Sequence, residues 1–193
     1  DILPAQIRKK DPVDYMLERT MMRPRDLILF FNQCIRTADK HPTITGEMIK
    51  TAEGEYSRLR LKSLYDEWNS DYPNLSKFVE ILKNRSKVFL VSSISDEEIG
   101  EFCLRIVVQK VEKRDGLYFD ALETAEAKLD PSEFRRKLFS VFYNIGMIGI
   151  KREPYEKPEW VASGRKGVSS TEISEKTKAL IHPMFFRVLG VKE

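Results

Sequence analysis

Glu18-Arg-Thr-Met-Met-Arg-Pro-Arg-Asp-Leu-Ile-Leu-Phe-Phe-Asn-Gln-Cys-Ile35 sets a proline between two arginines at the mouth of an apolar run. Proline lacks the N–H that goes unpaired in a first helical turn anyway, so Pro24 marks a helix start. Asp26 then falls in the first turn, where the helix dipole favours an acid. Leu27, Phe31, Ile35 and Ala38 recur at helical spacing and are expected to form the inner face. Arg23 and Arg25 stand at the positive end of that dipole, so an anion outside the helix should favour them. Two kinds qualify: a nucleotide phosphate, or a carboxylate such as Glu18 or Asp26.

Helical signals continue on both sides. Val13, Met16 and Leu17 make a short amphipathic stretch that stops near Met22. The Pro24 helix is expected to end near Lys40, before His41-Pro42. Thr45 caps a third helix, with Ile44 and Ile49 at the spacing of a hydrophobic staple. That helix runs through Ala52, Tyr56 and Leu59 to about Trp68, weakened locally by Gly54. Ser70-Asp-Tyr-Pro73 breaks the pattern and places a boundary between a domain at 1–72 and one at 73–193.

Asn74 is expected to cap the next helix, whose stripe is Leu75, Phe78, Val79 and Leu82. Lys87 to Val91 reads as a short strand. Ser95 and Glu98 have the spacing of a capping box, with Ile94 and Ile99 as staple. Ile99, Phe102, Cys103, Ile106 and Val107 form the inner face of the helix that follows, and Ala121 to Leu129 is a further helical stretch. Asp130-Pro131-Ser-Glu133 combines cap, first-position proline and third-position acid, with Phe134, Leu138, Val141 and Ile145 facing inward up to Gly146. Met147 to Ile150 reads as a strand, Trp160-Val161-Ala162 as another, and Pro183 as the start of a closing helix. Helix, short strand, two helices and strand–loop–strand is the order of a winged helix. The expected fold is therefore mainly α with a small β wing: a helical bundle followed by a winged-helix-like domain.

Three blocks also carry a family resemblance. The Arg23-Pro-Arg-Asp26 helix resembles the helical lid of AAA+-like and STAND-type bacterial P-loop ATPases. Leu138-Phe-Ser-Val-Phe-Tyr-Asn-Ile-Gly-Met-Ile-Gly-Ile150 is similar to the last helix and first wing strand of the winged-helix region that follows that lid. Ile181-His-Pro-Met-Phe-Phe-Arg-Val-Leu-Gly190 resembles the closing segment. The resemblance implies that Arg25, with Arg23 second, senses bound nucleotide. It further implies an upstream ATPase domain in the same protein that holds ATP and Mg, and it is compatible with an oligomeric parent.

Several chemistries are excluded from the sequence. A P-loop needs a glycine-rich turn ending in Gly-Lys-Ser/Thr, because backbone N–H groups wrap the phosphates. The nearest stretch, Gly164-Arg-Lys-Gly167, lacks the spacing and the ending. An acidic strand end of Walker B type is missing as well. His41 and His182 each adjoin a proline, with no cysteine or carboxylate at metal-ligand spacing. The serines form no Gly-x-Ser-x-Gly elbow. An enzyme acting alone is not expected, nor a metal site, nor a cofactor held by these residues.

Charge and composition set the remaining expectations. The 193 residues carry a net charge of +3, too little to argue for nucleic acid by itself. From Pro131 onward, however, 12 Lys/Arg stand against 7 Asp/Glu. Arg135, Arg136 and Lys137 lie near the start of the helix that a winged helix uses for recognition. Lys151, Arg152, Arg165 and Lys166 bracket the wing. These seven are the candidate contacts to DNA or to a partner domain, with a solvated helix face and a polar loop as the plainer reading. Cys34 and Cys103 occupy apolar-face positions and suit buried thiols in the cytoplasm. No run approaches the ~20 apolar residues of a membrane span. Two function classes follow: a non-catalytic regulatory module of a P-loop ATPase, or a self-contained winged-helix DNA binder with a helical dimerisation region.

Overall fold

The computed structural model describes residues 2–21, 23–109, 111, 113–153, 155–161 and 167–192. Among them are eight α-helices and one three-stranded antiparallel sheet. The fold is mainly α with a small β part, as the sequence indicated. The chain divides into two compact units, Asp1–Ser63 with Pro183–Gly190, and Leu64–His182 with Val191–Glu193.

The first unit contains α1 (Pro12–Leu17), α2 (Pro24–Ala38), most of α3 (Gly46–Glu67) and α8 (Phe186–Leu189). Asp11 caps α1 by accepting from the N–H groups of Val13 and Asp14. Thr45 Oγ accepts from Met48 N at 3.3 Å at the start of α3, and Ile44 and Ile49 are both buried beside it. Gly54 leaves the helix unbroken, since burial of Ile49, Ala52 and Tyr56 outweighs the ~1 kcal/mol propensity cost of one glycine.

The buried face of α2 differs from expectation. Phe30, Cys34 and Ala38 point inward together with Asp26 and Gln33, while Ile28 is 61% and Ile35 48% exposed. Leu27-Ile-Leu-Phe-Phe31 is apolar at every helical angle, so hydrophobic spacing alone leaves the rotation of the helix undetermined. A stack of Phe30 on Tyr56 of α3, with centroids 4.6 Å apart, fixes it instead. In α1, likewise, Tyr15 and Met16 are buried and Val13 is exposed.

The closing segment at 183–190 belongs to the first unit, although it lies within the 73–193 range expected for the second domain. Ser57 Oγ of α3 donates to Met184 O at 2.7 Å and holds it there. The expected boundary at residue 72 likewise falls beyond the division at Ser63/Leu64, because α3 runs unbroken to Glu67 through that division.

The second unit runs α4 (Leu75–Phe78), β1 (Val88–Leu90), α5 (Asp96–Val108), α6 (Gly116–Ala125), α7 (Pro131–Asn144), β2 (Ile148–Lys151) and β3 (Lys178–Ile181). Asp130 Oδ1 accepts from Ser132 N and Glu133 N to cap α7. Phe134, Leu138, Phe139 and Phe142 are then wholly buried, and Gly146 at φ 79° ends the helix. Ser95 caps α5, but the Glu98 carboxylate pairs with Arg85 rather than closing the capping box. Asn74 does not cap α4; its Nδ2 donates to Lys113 O at 2.7 Å. The sixth helix starts earlier than its apolar pattern suggests, because Asp115 accepts from Tyr118 N at 2.7 Å, and it ends at Ala125.

Strand order is β1-β3-β2. Phe89 pairs with Ala179 and Ile150 with Ala179, so these three share the inner face. Trp160 forms no strand: Glu159 makes a single bridge to Ile150, and the Trp160 ring lies against Gly149. Ala162, the end of that expected strand, lies outside the described residues. The third strand is Lys178–Ile181 instead.

Candidate functional site

Arg25 and Arg23 are both exposed at the start of α2. Arg23 occupies the cap position with extended backbone, and its side chain makes no cap hydrogen bond. Neither arginine has an ion-pair partner among the described residues, because both expected carboxylates are committed elsewhere. Glu18 pairs with Lys10 and lies 3.8 Å from Arg19. Asp26 is completely buried and lies 3.6 Å from Arg60 Nη1 on α3. Asp26 Oδ1 and Oδ2, Tyr56 Oη and Arg60 Nε make no hydrogen bond. Burial and the nearby Asp26 charge push the Tyr56 phenol well above its ordinary range. The turn carrying Arg25 is thus held to α3 by a buried charge pair, while Arg25 itself is open to solvent.

A second polar node lies deeper in this unit. Glu53 of α3 accepts from Tyr15 Oη and Arg19 Nε, both at 2.7 Å, and faces Arg187 Nε of α8 at 3.4 Å. Burial first, then the bond to Glu53, pushes the Tyr15 hydroxyl up to about 12. Glu53, Ser57 and Arg60 repeat at helical spacing within the buried face of α3. That polar row was visible in the sequence as a periodicity, but its partners on α1, α2 and α8 were not.

The basic cluster of α7 is not an open face. Arg135 belongs neither to an open contact surface nor to a solvated helix face, because it is 6% exposed. It donates to Ile94 O at 2.7 Å and pairs with Asp96 at 2.6 Å, joining α7 to the start of α5. Lys137 pairs with Asp120 at 2.9 Å and Glu133 at 3.6 Å, and the bond to Asp120 raises its pKa. Arg136 reaches Ser132 Oγ at 3.3 Å.

Just after β2, Arg152 lies between Glu159 at 3.4 Å and Glu172 at 3.3 Å. Lys151 lines a cleft with Lys176 and Lys178, two cations not singled out from sequence. Arg165 and Lys166 lie outside the described residues.

His41 is exposed, whereas burial lowers the His182 pKa to about 4 and its ring meets Trp160 edge-on at 5.1 Å. Burial pushes both thiols, Cys34 and Cys103, up to about 12, so they are inert at neutral pH. Among the described residues no three His, Cys, Asp or Glu side chains gather as a metal site. No helix among them is long and apolar enough to cross a membrane.

Residues 1–65 match a family model described as a FunZ-associated C-terminal helical domain. The match covers α1, α2 and nearly all of α3, and therefore includes Arg25, Asp26, Glu53 and Arg60. No curated protein and no solved structure matches the chain.

Proposed function

We propose that this chain is a non-catalytic C-terminal regulatory module of a P-loop ATPase. In this reading the first unit is a lid that reports nucleotide state. The observation that carries it is Arg25: exposed, without a carboxylate partner among the described residues, and mounted on a turn that the Asp26–Arg60 pair anchors. The pair fixes the backbone of that turn, and the unpaired guanidinium is left available to a phosphate oxygen. The match of residues 1–65 to a C-terminal helical domain supports the same placement.

The chain's residues fit one contact to a nucleotide rather than a whole site. Without a glycine-rich phosphate loop in the sequence, ATP and Mg would be held by the upstream domain. Arg25 would add a charge to the outermost phosphate, with Arg23 beside it. Binding shifts the lid only by the difference in contact energy between its two positions. The exposed Ile28 and Ile35 on α2 offer the same neighbouring domain an apolar contact.

The second unit is read as winged-helix-like, from its helix order and the strand order β1-β3-β2. Its contact with a partner does not run through α7, where Arg135 and Lys137 are already engaged. That engagement weighs against the self-contained DNA binder reading through a recognition helix.

The experiment is Arg25→Ala in the longer protein that carries this chain. Nucleotide-dependent activity should fall at least tenfold, equivalent to about 1.4 kcal/mol, with unchanged thermal unfolding. Arg25→Lys should recover part of it, since a point charge replaces the planar fork. Full activity in a folded Arg25→Ala protein would overturn the proposal.

A further inference from the structure

The sheet carries a charged feature that the lid reading does not use. Lys151 of β2 is in register with Lys178 of β3, and Lys178 with Leu90 of β1. Directly opposed residues on neighbouring strands leave the same face with Cβ atoms about 4.5–5.5 Å apart, and like charges so placed repel. A cleft of about 570 Å³ opens beside them, lined also by Lys176, Arg152, Glu153 and Glu175. Arg152 is engaged by Glu159 and Glu172. Lys151, Lys176 and Lys178 form no ion pair with any described residue, including the two acids of the cleft. Three lysines without an ion pair to any described residue therefore line one opening, whereas Arg135 and Lys137 of α7 are tied down.

We infer that this cleft binds the phosphodiester backbone of a nucleic acid through Lys151, Lys176 and Lys178. Lysine is a flexible point charge suited to phosphate oxygens. A small-molecule pocket of this volume is ordinarily lined by hydrophobic and aromatic residues, whereas six of the eight residues lining this one are charged. Leu90 is its one apolar side chain, too little to seat the large hydrophobic anchors that dominate protein interfaces. A bound polyanion also removes the Lys151/Lys178 repulsion, which the free protein retains. This deepens the reading of the second unit as a contact module and does not rest on Arg25.

The test is fluorescence anisotropy of a labelled mixed-sequence DNA duplex with the whole chain. Three phosphate contacts predict that log affinity falls against log salt with a slope of about −2.7, so a fourfold rise in salt weakens binding about 40-fold. Lys151→Gln/Lys176→Gln/Lys178→Gln should bring the slope close to zero, because each lost contact removes about one unit. A charge-matched control, Lys62→Gln/Lys83→Gln/Lys128→Gln, should keep it, as should Arg25→Ala. The first result and both controls separate this site from net charge and from the lid. No binding at low salt, or a slope equally reduced in the control, would overturn the inference. Displacement of the duplex by poly-glutamate, or by tripolyphosphate at equal phosphate, would also overturn it, assigning the cleft to an acidic protein or to a small anion.

Discussion

Arg19 Nε donates to Glu53 Oε1 at 2.7 Å, and the same guanidinium lies 3.6 Å above the centroid of the Tyr15 ring. Both charged side chains are buried, so the turn that follows α1 meets α3 through an ion pair shielded from water. Tyr15 and Arg187 share the second carboxylate oxygen, which draws the closing segment into the same node.

Glu53→Ala should therefore destabilise the protein by about 3–5 kcal/mol, since it strips the buried Arg19 guanidinium of its hydrogen-bonded counter-charge and leaves only Glu18 at 3.8 Å. Glu47→Ala, which breaks an exposed pair with Lys50, should stay within about 1 kcal/mol. Urea unfolding of both variants measures the contrast. Equal losses would mean that the buried node is not holding α1.

Asp26→Ala should cost a similar 3–5 kcal/mol by stranding Arg60. The double change Asp26→Leu/Arg60→Met should recover most of that loss, because packed apolar side chains replace two desolvated charges. If the double variant is as unstable as the single, the pair is not what anchors α2.

Gly149→Ala should be destabilising by about 1–3 kcal/mol. A Cβ there would come within 2.7 Å of the Trp160 ring. In a Trp160→Ala background the same substitution should cost much less, and the difference between the two measures the contact. Additive losses would place the obstruction elsewhere.

His182 supplies a pH dependence whose sign follows from its burial. Its pKa is lowered to about 4 in the folded protein, against an ordinary 6.5. As pH falls, the unfolded chain takes up the proton first. The stabilisation is present above pH 6.5 and is lost progressively toward pH 4, amounting to no more than about 3 kcal/mol. His182→Gln should flatten the fall in stability between pH 7 and pH 5, whereas the exposed His41→Gln should not. Identical slopes for wild type and His182→Gln would exclude this residue as the cause.

Leu138→Ala should cost about 2–5 kcal/mol, because the side chain is fully enclosed on α7. A loss below about 0.5 kcal/mol, the ordinary range for surface positions, would contradict that burial.

What the sequence by itself determined was local. Asp130-Pro131 and Ser95 start their helices because a side-chain oxygen and a first-turn N–H lie within three residues of each other. Leu75, Phe78, Val79 and Leu82, and the stripe from Phe134 to Ile145, are legible because polar residues separate them and set the helical period. Tertiary structure decided the rest. The rotation of α2 depends on Asp26 finding Arg60 and Phe30 finding Tyr56, and an unbroken apolar run carries no phase of its own. The third strand is Lys178–Ile181, and Trp160 and Val161 form none, because strand pairing joins residues too far apart in the chain for spacing to reveal. Arg135, Arg136 and Lys137 read as one basic face, yet Asp96 and Asp120 lie on other helices and engage two of them. Which cations remain open to a partner follows from where the carboxylates fold, and composition does not contain that.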